Sequence, residues 1–272
     1  MVRMGNVWDR TVEVLSGRAG MIATVALLGL FLPAVIRDTV VLYSVMASVV
    51  FAYLVVGSVL SVVALLFSTW AHLAIAAIAT DPATTRAEAG RQARARLLPA
   101  FGITFLIGLV MIVALVPPIL ALAWSGFDFS LMLAEGSAAS ANMPSAGAAV
   151  FASLYVLILS IAILWVAARL VLLYPIILNE RLGLGAIRRS IALTRGMTWR
   201  IIGVFVLFTI VVTIGTKAVQ AVVGVTLGLV LGKAANFPTS VAVTLVSAGF
   251  TAVAAVFIAR LYVASAGAPT SE

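Results

Sequence analysis

Residues 39–80 read TVVLYSVMASVVFAYLVVGSVLSVVALLFSTWAHLAIAAIAT. The run contains no Asp, Glu, Lys or Arg, and it is 42 residues long. A helix crossing a bilayer needs only about 20 apolar residues. The run is therefore too long for one upright span. Two arrangements accommodate it: one long helix with an interfacial end, or a hairpin turning at Gly57-Ser58. Charge placement separates them. With six spans and the N-terminus inside, fourteen of the 17 basic residues fall on the cytoplasmic side, leaving Arg37, Lys217 and Lys233 outside. The hairpin gives at best twelve against five. Positive residues favour the cytoplasmic face, so the six-span reading is preferred.

Working outward, the other apolar stretches are Gly20 to Ile36, Leu97 to Trp124, Ala148 to Leu178, Ile201 to Leu231 and Thr239 to Leu261. The expected spans cover approximately 20–36, 45–80, 98–123, 148–174, 200–222 and 239–261. Segments 82–97 and 179–199 are basic and are placed in the cytoplasm. Segment 124–147 carries Asp128 and Glu135, no basic residue, and many Ser, Ala, Gly and Pro, so it reads as an external loop. Asp9 and Glu13 interrupt the first residues, so the N-terminal segment does not read as a cleaved signal.

Composition agrees. The 272 residues are 64% hydrophobic and 10% charged, with a mean hydropathy of +1.23. A soluble domain would carry roughly 25% charged residues. The expected fold is all-α and integral to the membrane: six transmembrane helices with cytoplasmic interfacial amphipathic helices, in one polytopic domain over residues 1–272. The absence of cysteine excludes disulfides and thiolate chemistry, and a single histidine argues against a histidine metal site. No metal and no cofactor is expected. The net charge of +8 fits the positive-inside bias and anionic lipid headgroups better than nucleic acid, for which no motif is present.

The basic segments have helical periodicity. Gly5 to Arg18 places Val7, Trp8, Val12 and Leu15 against Arg10, Glu13 and Arg18. Pro82 to Leu98 opens on Asp81-Pro82, a cap and first-turn proline. Gly185 to Gly196 sets Ile187, Ile191 and Thr194 on one face. Basic amphipathic helices suit the headgroup plane. The chain is thus readable as three copies of one unit: interfacial helix, span out, span back. The first and third copies are most alike, Asp9-Arg10-Thr11-Val12-Glu13 beside Arg188-Arg189-Ser190-Ile191-Ala192.

Residues 169–200 are the most distinctive. They hold Arg169-Leu170, Tyr174-Pro175, Glu180, Gly183, Ala186-Ile187-Arg188-Arg189-Ser190, Leu193-Thr194-Arg195-Gly196 and Trp199-Arg200. This pattern resembles the membrane-domain family named after glycerophosphoryl diester phosphodiesterase, which includes YciC-like proteins. The close match covers about 30 residues, and the remainder agrees in hydropathy and span layout. The resemblance implies a membrane fold in a bacterial inner membrane. It does not carry the phosphodiesterase activity, which needs paired histidines and clustered acids for metal-assisted hydrolysis.

Several side chains are candidates for function. Arg169 lies within an apolar stretch, Pro175 breaks the helix after it, and Glu180 is positioned to fold back onto it as a structural ion pair. An anion site for a lipid phosphate is the alternative, with Arg169, Glu180, Arg188, Arg189, Arg195 and Arg200 as its residues. The same arginines are also readable as an interfacial collar. Gly224, Gly228 and Gly232 form a small-residue row that permits close helix packing, within the chain or with a partner. The end of that stretch is readable as a tilted, broken or re-entrant segment. His72 is expected as a packed side chain, and all nine acidic residues are expected outside the spans. Ser58, Ser61 and Ser160 read as helix–helix hydrogen-bonders. No nucleophile elbow or phosphate loop is present. The expected function is a non-enzymatic inner-membrane protein that binds lipid or scaffolds a larger complex. Lipid or small-molecule transport is the alternative, and a membrane-embedded lipid-modifying enzyme the second. Expected partners are membrane lipids, chiefly anionic, and another membrane protein or a second copy. Both termini are expected in the cytoplasm.

Overall fold

The structure, a computed structural model, describes residues 3–46, 50–127 and 143–267. It is an all-α membrane protein: six helices among the described residues are long and apolar enough to cross a bilayer. The chain forms two compact units, Met1–Gly102 with Arg169–Glu272, and Ile103–Ala168.

The first unit begins with α1 (Met4–Ala26), which passes through a π-helical turn (Leu27–Phe31) into α2 (Leu32–Met46). The interfacial segment and the first span are therefore one helical rod, kinked at Arg18, where φ is −133° and ψ is 20°. The π turn lies where the rod meets α3 (Val50–Thr80). Gly29 makes that approach possible: a Cβ there would sit 2.6 Å from the Ala71 Cβ and 3.1 Å from the Phe67 carbonyl oxygen.

The run 39–80 is divided in a way neither expected arrangement anticipates. Residues 39–46 complete α2, so the first span does not stop at Ile36. The helix α3 runs unbroken through Gly57 and Ser58. Residues 47–49 lie outside the described residues. Arg37 and Asp38 lie within α2 and pair with each other: Arg37 Nη2 lies 2.6 Å from Asp38 Oδ1.

The second half of α3 is the hub of this unit. Ala71 and every residue from Leu73 to Ala79 are buried. A helix apolar on all sides must be enclosed by neighbours, and α1, a short helix α7 (Leu173–Asn179) and α10 (Asn236–Ala266) enclose it. The unit also holds α8 (Gly185–Leu193), α9 (Thr198–Leu231) and the start of α4 (Arg86–Ala114). The 34-residue α9 is unbroken to Leu231, contrary to a re-entrant end, and stops at Gly232, where φ is +55°. It packs along α10 through the edge-on pair Phe208–Phe250.

The short α7 explains the Tyr174-Pro175 motif. The chain breaks at Val171-Leu172, ahead of the proline. Pro175 then falls in the first turn of α7, where an amide has no helical acceptor to lose. Leu173, Pro175, Ile176, Ile177 and Leu178 are buried, so this motif is a packing element.

The second unit holds the end of α4 (Arg86–Ala114), α5 (Val116–Trp124) and most of α6 (Ala146–Leu170). Pro118 has no amide hydrogen to donate to the Ala114 carbonyl one turn earlier. Tyr155 supplies the missing donor, its hydroxyl bonding Ala114 O at 3.0 Å. Most of the expected external loop, residues 128–142, lies outside the described residues.

All three amphipathic segments are largely helical; the first two continue into a long apolar helix, and the third is joined to one by a turn over 194–197. Each buries a pair of residues four apart: Val7 and Thr11, Ala89 and Ala93, Ala186 and Ser190.

The Gly29 contact yields a stability test. Gly29→Ala forces two backbones apart in a packed region, and overpacking of this kind costs about 1–3 kcal/mol. Gly228→Ala, where nothing lies within 4 Å of the new Cβ, should leave stability unchanged or slightly raised. Thermal unfolding of the two variants in detergent should separate them.

Candidate functional site

Most arginines gather at one end of the first unit, and the geometry there starts from α3. The last carbonyls of any helix lack intrahelical partners. At a buried end they must be met by side chains. Arg18 Nη1 donates to Ile78 O at 2.9 Å and Asp81 O at 3.1 Å, and reaches Thr84 O at 3.5 Å. Arg260 Nη1 donates to Ala79 O at 3.2 Å. Cations at a helix C-terminus also oppose the helix dipole. The α1 kink falls at Arg18 itself. The Asp81 carboxylate then caps the next turn, accepting from Ala83 N at 2.8 Å and Thr84 Oγ1 at 3.2 Å.

Beside this crossing lies a cavity of about 310 Å³, lined by Arg10, Glu13, Gly17, Arg18, Pro82 and Arg260 among others. Arg10 and Glu13 pair at 2.7 Å on its exposed rim. Arg260 Nε is buried with no hydrogen-bond partner among the described residues. Three guanidinium groups face one carboxylate, so two positive charges remain, against about half a negative charge from the α3 terminus. The cavity favours an anion.

The motif at 169–200 is arranged differently from the expected Arg169–Glu180 pair. Glu180 pairs instead with Arg189, whose Nε lies 3.0 Å from Oε2, and it accepts from the Tyr262 hydroxyl at 3.2 Å. Arg169 ends α6, and its Nη1 reaches Ile191 O at 3.4 Å. Its own carbonyl accepts from Ser190 Oγ at 2.7 Å and Thr194 Oγ1 at 3.4 Å. Ser190 and Thr194 are fully buried. These residues therefore tie α8 to the α6 end and to α10. Arg188, Arg195 and Arg200 are exposed. Within the glycine row, Gly224 faces Thr239 of α10 with 3.6 Å for a Cβ, Gly228 faces open space, and Gly232 ends the helix.

A second cavity lies between α2, α3 and α10, away from the arginine-rich end. It encloses about 590 Å³ and is lined by Arg37, Asp38, Ser61, Ser68, Ser247 and Thr251 with smaller apolar residues. Asp38 also lines an adjoining cavity of about 370 Å³ with Gln220, Asn236, Thr239 and Ser240. Asp38 thus sits inside a continuous helix facing α10, where Thr244 Oγ1 approaches its Oδ2 at 3.5 Å. This places Asp38 within a helix, where a position beyond the end of the first span was expected. The sequence signal was present in the adjacent opposite charges of Arg37 and Asp38, but it read as a span end.

Ser61 and Ser160 bond within their own helices, to Gly57 O and Val156 O, rather than across helices. His72 stacks on Tyr174 with ring centroids 5.0 Å apart, and its Nδ1 lies 2.7 Å from Ser68 O. Among the described residues, no group of three or more His, Cys, Asp or Glu side chains converges as a metal site requires.

Fold and charge placement define the class, an all-α multi-pass membrane protein with an arginine-rich end. Comparison with protein-family models, curated proteins and solved structures finds no match to this chain.

Arg18→Leu removes the donor to the α3 carbonyls while keeping the aliphatic stem. An unsatisfied buried acceptor costs about 1–3 kcal/mol, so the thermal midpoint should fall clearly. Arg188→Leu, at an exposed position, should leave it nearly unchanged.

Proposed function

We propose that this chain is a non-enzymatic protein of a bacterial inner membrane that binds anionic phospholipid through its arginine-rich end. The carrying observation is the cavity where Arg10, Arg18 and Arg260 meet at the end of α3. Each guanidinium has five donor hydrogens. The carbonyl bonds of Arg18 and Arg260 run through Nη1 alone. The remaining donors match a phosphate diester, which guanidinium binds well.

A nearby groove supports the same reading. Leu28, Leu66, Phe67 and Trp70 line an apolar space of about 370 Å³ with Arg94 at its edge. An acyl chain fits the apolar wall and a headgroup fits the arginine. The exposed Arg188, Arg195 and Arg200 add a collar of positive charge, each such residue near an anionic surface contributing about 1 kcal/mol. The motif at 169–200 supports kinship with the phosphodiesterase-associated membrane-domain family in its structural part alone. A scaffold role is compatible with this. The apolar window of α9 is only 6% buried, leaving a face for another membrane protein or a second copy.

Small-molecule transport is the second reading, favoured by the hydroxyl-lined cavity around Asp38.

Lipid binding is testable by native mass spectrometry of the chain released gently from its membrane. Retained phosphatidylglycerol or cardiolipin should fall several-fold in Arg10→Gln combined with Arg94→Gln. Unchanged anionic lipid in that variant removes the proposal. Orientation is testable because the chain has no cysteine. In intact cells, a membrane-impermeant maleimide should label Ser145→Cys and spare Ser16→Cys until the cells are opened. The reverse pattern inverts the topology and places the arginines outside.

A further inference from the structure

The cavity between α2, α3 and α10 has a chemistry distinct from the arginine-rich end. Its charged groups are Arg37 and Asp38, consecutive residues of α2, bonded to each other through Nη2 at 2.6 Å and Nε at 2.9 Å. Ser61, Ser68, Thr244, Ser247 and Thr251 supply hydroxyls from the two facing helices. Ser68 and Thr251 lie seven residues further along their helices than Ser61 and Thr244, about 10 Å deeper at 1.5 Å per residue. The polar lining therefore runs from the charged pair well into the apolar span. At the deep end, Ser68 Oγ lies 3.4 Å from His72 Nδ1.

The Arg37–Asp38 pair is half-exposed at the mouth of this cavity, with side-chain exposures of 40% and 36%, so it is open to a ligand entering from outside the helices. The net charge of the Arg37–Asp38 pair decides what fits. A simple cation is opposed by Arg37, and a simple anion by Asp38. A molecule carrying both signs satisfies both residues at once, by exchanging their mutual bond for two intermolecular ones. The lining hydroxyls, of which Ser61 and Thr251 already donate to their own helix backbones, keep lone pairs that accept from its ammonium.

We propose that this cavity binds an ammonium–phosphate zwitterion, with its phosphate on Arg37 and its ammonium on Asp38. The chemistry is shared by the headgroup of phosphatidylethanolamine and by free phosphoethanolamine. The inference rests on the second of the two readings above, and it uses none of the residues of the anionic-lipid cavity.

The test uses the full chain in detergent, titrated with three probes and read by native mass spectrometry and thermal midpoint. The probes are short-chain phosphatidylethanolamine, short-chain phosphatidylglycerol and free phosphoethanolamine. One saturable zwitterion should bind, with affinity lowered at least tenfold by Asp38→Asn and by Arg37→Gln. Binding of the lipid alone identifies a headgroup site open to the bilayer; binding of the free zwitterion identifies a solute site. Ala34→Phe fills the cavity wall while leaving the charged pair intact. It guards against misfolding of the charge variants, and it too should abolish binding while the protein keeps its thermal midpoint. Arg10→Gln should leave zwitterion binding unchanged and lower phosphatidylglycerol binding, so the two sites fail separately. No saturable zwitterion binding overturns the proposal. Binding indifferent to Ala34→Phe and Asp38→Asn does so as well.

Discussion

The last carbonyls of a helix have no partner within it, and in this chain that constraint bears hardest on the C-terminal end of α3. The helix is enclosed on every side from Leu73 to Ala79, and its final carbonyls lie where that packed core meets the arginine-lined cavity. Arg18 from α1 and Arg260 from α10 meet them. The two helices that wall α3 are thereby fixed to its end by charge-assisted bonds, which are about twice as strong as neutral ones. The same crossing concentrates positive charge in one cavity. Architecture and candidate chemistry share a single cause there.

The rule recurs at smaller scale in both units. The Ala114 carbonyl, left without a donor by Pro118, takes the Tyr155 hydroxyl. The Arg169 carbonyl, at the break before α7, takes the Ser190 and Thr194 hydroxyls. Wherever a helix is interrupted in these places, a polar side chain from elsewhere in the same unit closes the gap. The distinctive residues at 169–200 read first as structural for this reason. Glu180, Arg189 and Tyr262 join α8 to α10, and Ser190 joins it to the α6 end.

Hydropathy was enough to show six spans because composition alone dictates burial in lipid. The three amphipathic segments were also legible, since period and charge act locally. What stayed hidden depends on encounters far apart in sequence. Nothing near Arg18 announces that it will bond carbonyls more than sixty residues away. Arg37 and Asp38 looked like a loop because a lone charge would end a span, whereas a neutral pair need not. Glu180 is the acidic residue nearest Arg169 along the chain, but Arg189 is nearer still to Glu180, and the turn at Arg181, where φ is +56°, carries α8 back so that these two pair.

The π turn between α1 and α2 also sets a phase. One extra residue per turn rotates everything beyond it by about 100° relative to a regular helix, since each residue advances one part in 3.6 of a revolution. Leu27–Phe31 makes that offset just before the segment bearing Arg37 and Asp38. With the offset, Asp38 looks toward Thr244 and the hydroxyl-lined cavity. Without it, the Arg37–Asp38 pair would turn together away from Thr244. A single surplus residue thus works as an angular vernier, tuning the polar chamber that begins at the turn itself, where Leu30 forms part of its wall.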